Sequence, residues 1–192
     1  MIAHRVASEL STSRLRIRHL TPADAQSFFE VFSNTDVMHY WSTPPLATLA
    51  QAKEKIADIL RHYQTGDLFQ FGIQLNDNRD LDQPLIGTCT LLHIHEQNRR
   101  AEIGYALGRP FWGHGYMHEA LVALVDHAFN ELRLHRLEAD IDPRNESSAK
   151  SLERLGFVRE GHLRERWIVG DEVSDSALYG LLASQWHRMP PH

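Results

Sequence analysis

The sequence contains a single cysteine, Cys89, so no disulfide can close within the chain, and it reads as an intracellular protein. No apolar run approaches the roughly 20 residues that a membrane span requires. The start, MIAHRVASEL, has no apolar stretch of the kind a secretory signal carries, so a soluble, cytoplasmic protein is expected. Basic residues, 20 Lys and Arg, are outnumbered by 25 Asp and Glu. With a formal net charge of -5 the chain lacks the basic footprint of a nucleic-acid binder, while a basic substrate such as a protonated amine is electrostatically welcome. Internal repeats, low-complexity stretches and domain linkers are absent.

What is present is ordinary globular material. The 192 residues, 42% hydrophobic and 23% charged, suffice for one domain with a real core. The 13 histidines invite a metal reading. They are scattered, however, and the one tight cluster, His93-Ile94-His95, has no third histidine or carboxylate at a familiar ligand spacing. No metal is therefore expected.

Along the chain, residues 1–13 read as a loose N-terminal arm and 185–192 as a C-terminal tail, with one domain over 14–184. Arg14 to Leu20 alternates as a strand. Thr21, Pro22 and Asp24 form a helix start, with Phe28, Val31 and Phe32 on one side of the helix that follows. A second helix begins at Thr48, with Gln51 as capping-box partner, carries the apolar stripe Leu49, Ala52, Ile56, Ile59, Leu60 and Tyr63, and stops at Gly66. Strands are predicted over Leu68–Leu75, Leu85–His95 and Arg99–Leu107, with turn-rich Asn76–Pro84 after the first. Tyr116 to Leu132 has a strong helical period. A strand over His135–Ile141, a helix over Asn145–Leu155 stopped by Gly156, and two strands reaching Leu182 complete the order. This mixture predicts an α/β domain on a mixed, mostly antiparallel sheet of about seven strands with helices on both faces.

The most informative stretch runs from Ala101 to Ala120: a strand, a glycine-containing loop, then the clearest helix. Helix N-termini bind phosphates through unpaired N–H groups and a partial positive charge, and Gly113 and Gly115 allow close backbone approach. A Rossmann fingerprint fails because position 118 is His, and a Walker A loop fails because Gly-Lys-Ser/Thr is missing.

This stretch resembles the acetyl-CoA loop of GNAT acetyltransferases, particularly the branch of RimJ/RimL-type ribosomal-protein N-terminal acetyltransferases. The landmarks follow in order: Ala101 to Tyr105, Trp112-Gly113 with Gly115-Tyr116, Glu119 to Leu121, Asn145 with Ser148, Gly156-Phe157, and Glu160-Gly161. Two departures stand out. Pro110 occupies the place of the loop's usual Arg or Gln, with Arg109 one residue early. Leu152 occupies the place of a tyrosine that serves many members as general acid.

The resemblance implies acetyl-CoA as co-substrate and direct transfer to a primary amine in a ternary complex. Tyr105, Ala106 and Leu107 would pair with the pantetheine arm as an added strand, and Trp112, Gly113, His114, Gly115 and Tyr116 would wrap the pyrophosphate. Asn145 would bond the pantetheine, or serve as a helix N-cap. Glu102 would take the amine's proton, or be a surface acid paired with Arg99 or Arg100. Ser148 would protonate the departing thiolate, or be an ordinary first-turn serine. His39, Tyr40 and Trp41 would line the acceptor pocket, or pack in the core. A strand N–H would hold the oxyanion, and Cys89, mid-strand among apolar residues, is not expected as a nucleophile. Expected partners are an amine acceptor, a ribosomal-protein N-terminus first, and a second copy in a homodimer; neither direct nucleic-acid nor membrane contact is expected. The alternatives are a small-amine acetyltransferase and a non-catalytic acyl-CoA-binding module.

Overall fold

Helix caps set the first landmarks. The computed structural model describes residues 6–76 and 83–186. Thr21 and Asp24 cap each other across a 3-10 turn, Pro22–Asp24, that runs into α1 (Ala25–Phe32). Asp24 also receives both terminal nitrogens of Arg18, at 2.9 and 2.7 Å, so the buried carboxylate ties the preceding strand to the helix start. Asn34 caps a short helix, α2 (Thr35–Met38), with its side chain accepting from Asp36 and Val37 N–H. The predicted Thr48/Gln51 capping box opens α3 (Leu49–Thr65), which ends at Gly66.

Among the described residues the sheet has eight strands: β1 (Glu9–Ser11), β2 (Leu15–His19), β3 (Leu68–Leu75), β4 (Gly87–His95), β5 (Arg100–Leu107), β6 (Arg136–Ile141), β7 (Val158–Val169) and β8 (Glu172–Leu182). Their spatial order is 1-2-3-4-5-6-8-7, and every pairing is antiparallel except β5 with β6. The strand beyond the expected seven is β1, within the stretch read as a loose arm. It pairs with β2 at the sheet edge. The helix α6 (Ala183–Trp186) enters the stretch read as a tail, and residues 77–82 of the turn-rich segment lie outside the described residues.

Helices cover both faces. On one, Phe69, Phe71, Ile73, Leu91 and Ile103 pack with Leu121, Leu124 and Phe129 of α4 (Tyr116–Asn130), and with Leu152 of α5 (Glu146–Arg154). On the other, Leu20, Leu85 and Ala106 pack with Phe28, Val31 and Phe32 of α1 and with Ala52, Ile56 and Ile59 of α3. Successive strand residues face opposite sides, so one β5 strand supplies Ile103 to the first core and Ala106 to the second.

Candidate active site

The feature that makes a site is an interruption in this sheet. β5 and β6 are in register only where Arg100, Ala101 and Glu102 meet Arg136, Leu137 and Glu138. Beyond that point β5 stays paired with β4 as far as Leu107, and β6 stays paired with β8 as far as Ile141. The two halves of the sheet therefore part between Ile103–Leu107 and Ala139–Ile141. One flank of each strand keeps peptide groups that no neighbouring strand takes up, and an extended chain can pair with such an edge.

A cavity of about 610 Å³ occupies this opening, lined by Glu102 and Tyr105 of β5, Asp140 of β6, Ser148 at the start of α5, and His39 to Trp41 after α2. The candidate catalytic pair Glu102 and Ser148, 46 positions apart in sequence, thus share one space. Glu102 Oε2 lies 3.0 Å from His93 Nδ1. Its partner is this histidine, while Arg100 pairs with Glu138 at 2.7 Å, so the surface pairing of Glu102 with Arg100 does not form. His93 and His95 also diverge in role, since His95 Nδ1 accepts from the Asn98 N–H.

Ser148 is buried, and its Oγ lies 2.6 Å from Tyr105 Oη. Burial pushes the Tyr105 phenol up to about 12, against a smaller lowering by Ser148. Asn145 caps α5, its Oδ1 accepting from the Ser148 N–H at 3.0 Å; the cap reading holds, and the same bond fixes the turn that carries Ser148. Leu152, one turn further on, is fully buried in the core and offers no acid.

Of the three aromatic residues after α2, Trp41 bridges the cavity and the core. It lines the cavity and packs edge-on against Phe32 at 5.4 Å. Tyr40 faces the Arg144 guanidinium at 5.9 Å. Arg144 in turn bonds Asp142 at 2.5 Å and Glu172 at 2.7 Å. Burial disfavours the charge on Asp142, but these Arg144 bonds outweigh it and hold the carboxyl below the usual range. Arg166 bonds Asp140 at 3.2 Å, completing a wall of charged pairs. Cys89 is fully buried in β4, and burial pushes its thiol up to about 12, far from a reactive thiolate.

The glycine loop lies on the α4 side. Gly113 and Gly115 have φ of 79° and 78°, a region that side-chain-bearing residues rarely adopt, and Gly115 is the N-cap of α4. The first N–H groups of this 15-residue helix have no partner in their own helix, as an anion site needs. Arg14, which sequence reasoning left out, braces the loop: Nη1 donates to the His114 carbonyl at 3.0 Å, Nε bonds Glu119 at 2.6 Å, and the guanidinium lies 4.7 Å from the Tyr116 ring. Trp112 Nε1 donates to the Leu107 carbonyl at 2.6 Å, tying the loop to the end of β5. Arg109 stacks over the Trp112 ring at the start of the loop and reaches towards Asp36.

Also missed were Tyr105 as a hydroxyl, and Asp140, Arg144 and Arg166. Tyr105, Asp140 and Arg166 act through contacts between distant segments, for which sequence spacing carries no signal, and Arg144 joins its near neighbour Asp142 to the distant Glu172. Among the described residues no group of three or more His, Cys, Asp or Glu side chains could hold a metal ion, and no helix is long and apolar enough to cross a membrane.

Comparison with known proteins agrees with this architecture. Residues 14–158 match the model of the acetyltransferase (GNAT) domain. The uncharacterized N-acetyltransferase p20 of Bacillus licheniformis is 34% identical over 177 residues, covering 92% of this chain and 97% of its own. The ribosomal protein uS5-alanine N-acetyltransferase of Escherichia coli is 25% identical over 184 residues, 92% of each. The crystal structure of spermidine N-acetyltransferase from Vibrio cholerae, in complex with CoA and spermine, superposes with a TM-score of 0.79 at 24% identity, over 92% of this chain and all of that one. The chain belongs to the GNAT acetyltransferase family and is an acetyl-CoA-dependent N-acetyltransferase.

Proposed function

We propose that this enzyme acetylates a protein N-terminal amine, of the ribosomal-protein type, in the opening between β5 and β6. The observation that carries the reading is the meeting of Glu102 and Ser148 in one cavity at the point where the strands part. Acetyl-CoA enters from the α4 side, with its pyrophosphate on the Trp112–Tyr116 loop and its pantetheine arm along Tyr105, Ala106 and Leu107. The acceptor enters past His39, Tyr40 and Trp41.

The ammonium of the acceptor gives a proton to Glu102, and the freed nitrogen attacks the thioester carbonyl. The tetrahedral oxyanion takes a hydrogen bond from a β5 N–H. On collapse the C–S bond breaks, its electron pair goes to sulfur, and sulfur takes a proton from Ser148 Oγ. The nitrogen's second proton and the replacement for the serine exchange with solvent, leaving an amide and CoA.

An α-amine suits such a site. Its ordinary pKa is near 8, against about 10.4 for an alkylamine, so its neutral fraction at pH 7.5 is more than about a hundred-fold larger. The E. coli relative acts on the alanine of a ribosomal protein. A polyamine is the second reading: the cavity walls carry Glu102, Asp140, Asp142 and Glu172 against two guanidiniums, Arg144 and Arg166, and the Vibrio cholerae neighbour is a spermidine acetyltransferase.

Calorimetric titration with acetyl-CoA, with NAD and free adenine nucleotides as controls, comes first, and micromolar binding of acetyl-CoA alone is expected. Thiol release with an alanine-initiated peptide or with spermidine then separates the acceptors. Turnover of spermidine alone would overturn the N-terminal assignment.

A further inference from the structure

Tyr105 Oη lies 2.6 Å from Ser148 Oγ and 3.4 Å from the Ser148 carbonyl oxygen. Both residues line the cavity, and among the described residues these are the hydrogen bonds of the phenol. Two hydroxyls at 2.6 Å share one hydrogen, and the direction of sharing decides what the other hydrogen can do.

If Ser148 donated, the phenol hydrogen would be left with the carbonyl at 3.4 Å, beyond the usual range for an O–H donor, and the serine hydrogen would be spent on the phenol. If Tyr105 donates, its hydrogen has a short bond and the serine hydrogen is released. A phenol is a stronger acid, and so a better donor, than an aliphatic hydroxyl. Burial pushes the Tyr105 phenol up to about 12, so it keeps its proton, and its donor role, at any working pH.

The backbone holds the Ser148 hydroxyl at the cavity. Ser148 is buried, its N–H is bonded to Asn145 Oδ1, and it sits on the first turn of α5, facing the cavity. We infer that Tyr105 is a positioning residue: its hydroxyl donates to Ser148 Oγ and so directs the Ser148 hydrogen into the cavity, towards the departing sulfur. This rests on the reading of Ser148 as the thiolate's proton donor. It gives the strand tyrosine a task beyond its backbone, in a chain whose α5 carries leucine at 152.

The test is a double-mutant cycle in the full-length enzyme, with acetyl-CoA and an alanine-initiated peptide, read as thiol release. Tyr105→Phe removes one oxygen and keeps the ring that packs against the core. It is expected to lower kcat about ten-fold, the worth of one well-made hydrogen bond, while leaving the KM for acetyl-CoA and the Tm nearly unchanged. A purely structural role would move Tm or KM instead. Ser148→Ala is expected to lower kcat by at least as much, and adding Tyr105→Phe to it to cost nothing further. Wild-type kcat in Tyr105→Phe beside a slow Ser148→Ala would overturn the inference and leave the serine's role standing. Penalties that multiply in the double variant would show that Tyr105 does not act through Ser148. Full turnover by Ser148→Ala would remove the serine reading and the inference together.

Discussion

His93 Nδ1 stands 3.0 Å from Glu102 Oε2, reaching across from β4 at the point where its register with β5 shifts between Leu92 and His95. His93 itself takes a φ of 51° there. A left-handed residue inside a strand pair is uncommon without glycine, and this one turns an imidazole onto the carboxylate that lines the cavity. The irregularity is thus tied to the site, and Glu102 is held by a neighbour on its own sheet.

Glu102→Gln keeps the shape and removes the base. Its kcat is expected to fall about a hundred-fold, with the calorimetric affinity for acetyl-CoA unchanged. His93→Ala loses only the orientation of the carboxylate, so a loss of about three-fold is expected. Steady-state rates beside the titrations check both, and wild-type turnover in Glu102→Gln would reassign the base.

Gly115→Ala separates backbone strain from contact. A Cβ at this position would meet only the Arg14 guanidinium, at 3.5 Å, an ordinary contact. The φ of 78° remains, and a left-handed alanine costs roughly 1–2 kcal/mol. A Tm lower by about 3–6 °C is therefore expected, together with weaker acetyl-CoA binding as the loop relaxes. Calorimetry on the variant would decide: unchanged affinity would separate the loop geometry from cofactor binding.

Much of this fold was legible because its punctuation is local. Thr48 with Gln51 and the period of Tyr116–Asn130 each mark an element through neighbours three or four residues away. β1 escaped because three residues with one half-buried leucine carry no period. α2 is a single turn whose cap, Asn34, fixes it without an apolar stripe. The glycine loop was legible as a motif. The Tyr105–Ser148 bond, the Arg14 brace and the charged wall join segments tens of residues apart, and only the folded sheet brings them together.

Stability should also report on a buried histidine. His127 lies in α4 with Nε2 accepting from the Ala7 N–H, and burial holds its pKa below the ordinary 6.5, outweighing the acids Glu131 and Asp126 nearby. The unfolded chain then binds the proton more readily than the native one. The stability is fully present above about pH 6.5 and is lost as pH falls through the depressed native value. His19, half-buried and stacked on Tyr63, shifts in the same direction. Melting curves are expected to be level from pH 7 to 8 and to drop below about pH 6.5. His127→Gln, which retains an acceptor for Ala7, should flatten part of that drop and leave the portion due to His19.

Leu152 marks the place where many relatives by resemblance carry a tyrosine acid, which makes Leu152→Tyr an apparent repair. The packing argues against it. Leu152 is fully buried in the α4-side core, in one apolar cluster with Leu155 and Phe157. A larger ring there overpacks the core, at about 1–3 kcal/mol, and burying an unpaired hydroxyl adds to that. The preceding turn of α5 presents Ser148, so any shift of the helix would also disturb the 2.6 Å bond to Tyr105. The expected result is a lower Tm and a lower kcat. A rise in kcat would show that the site lacks an acid, and that neither Ser148 nor its tyrosine partner serves the leaving sulfur.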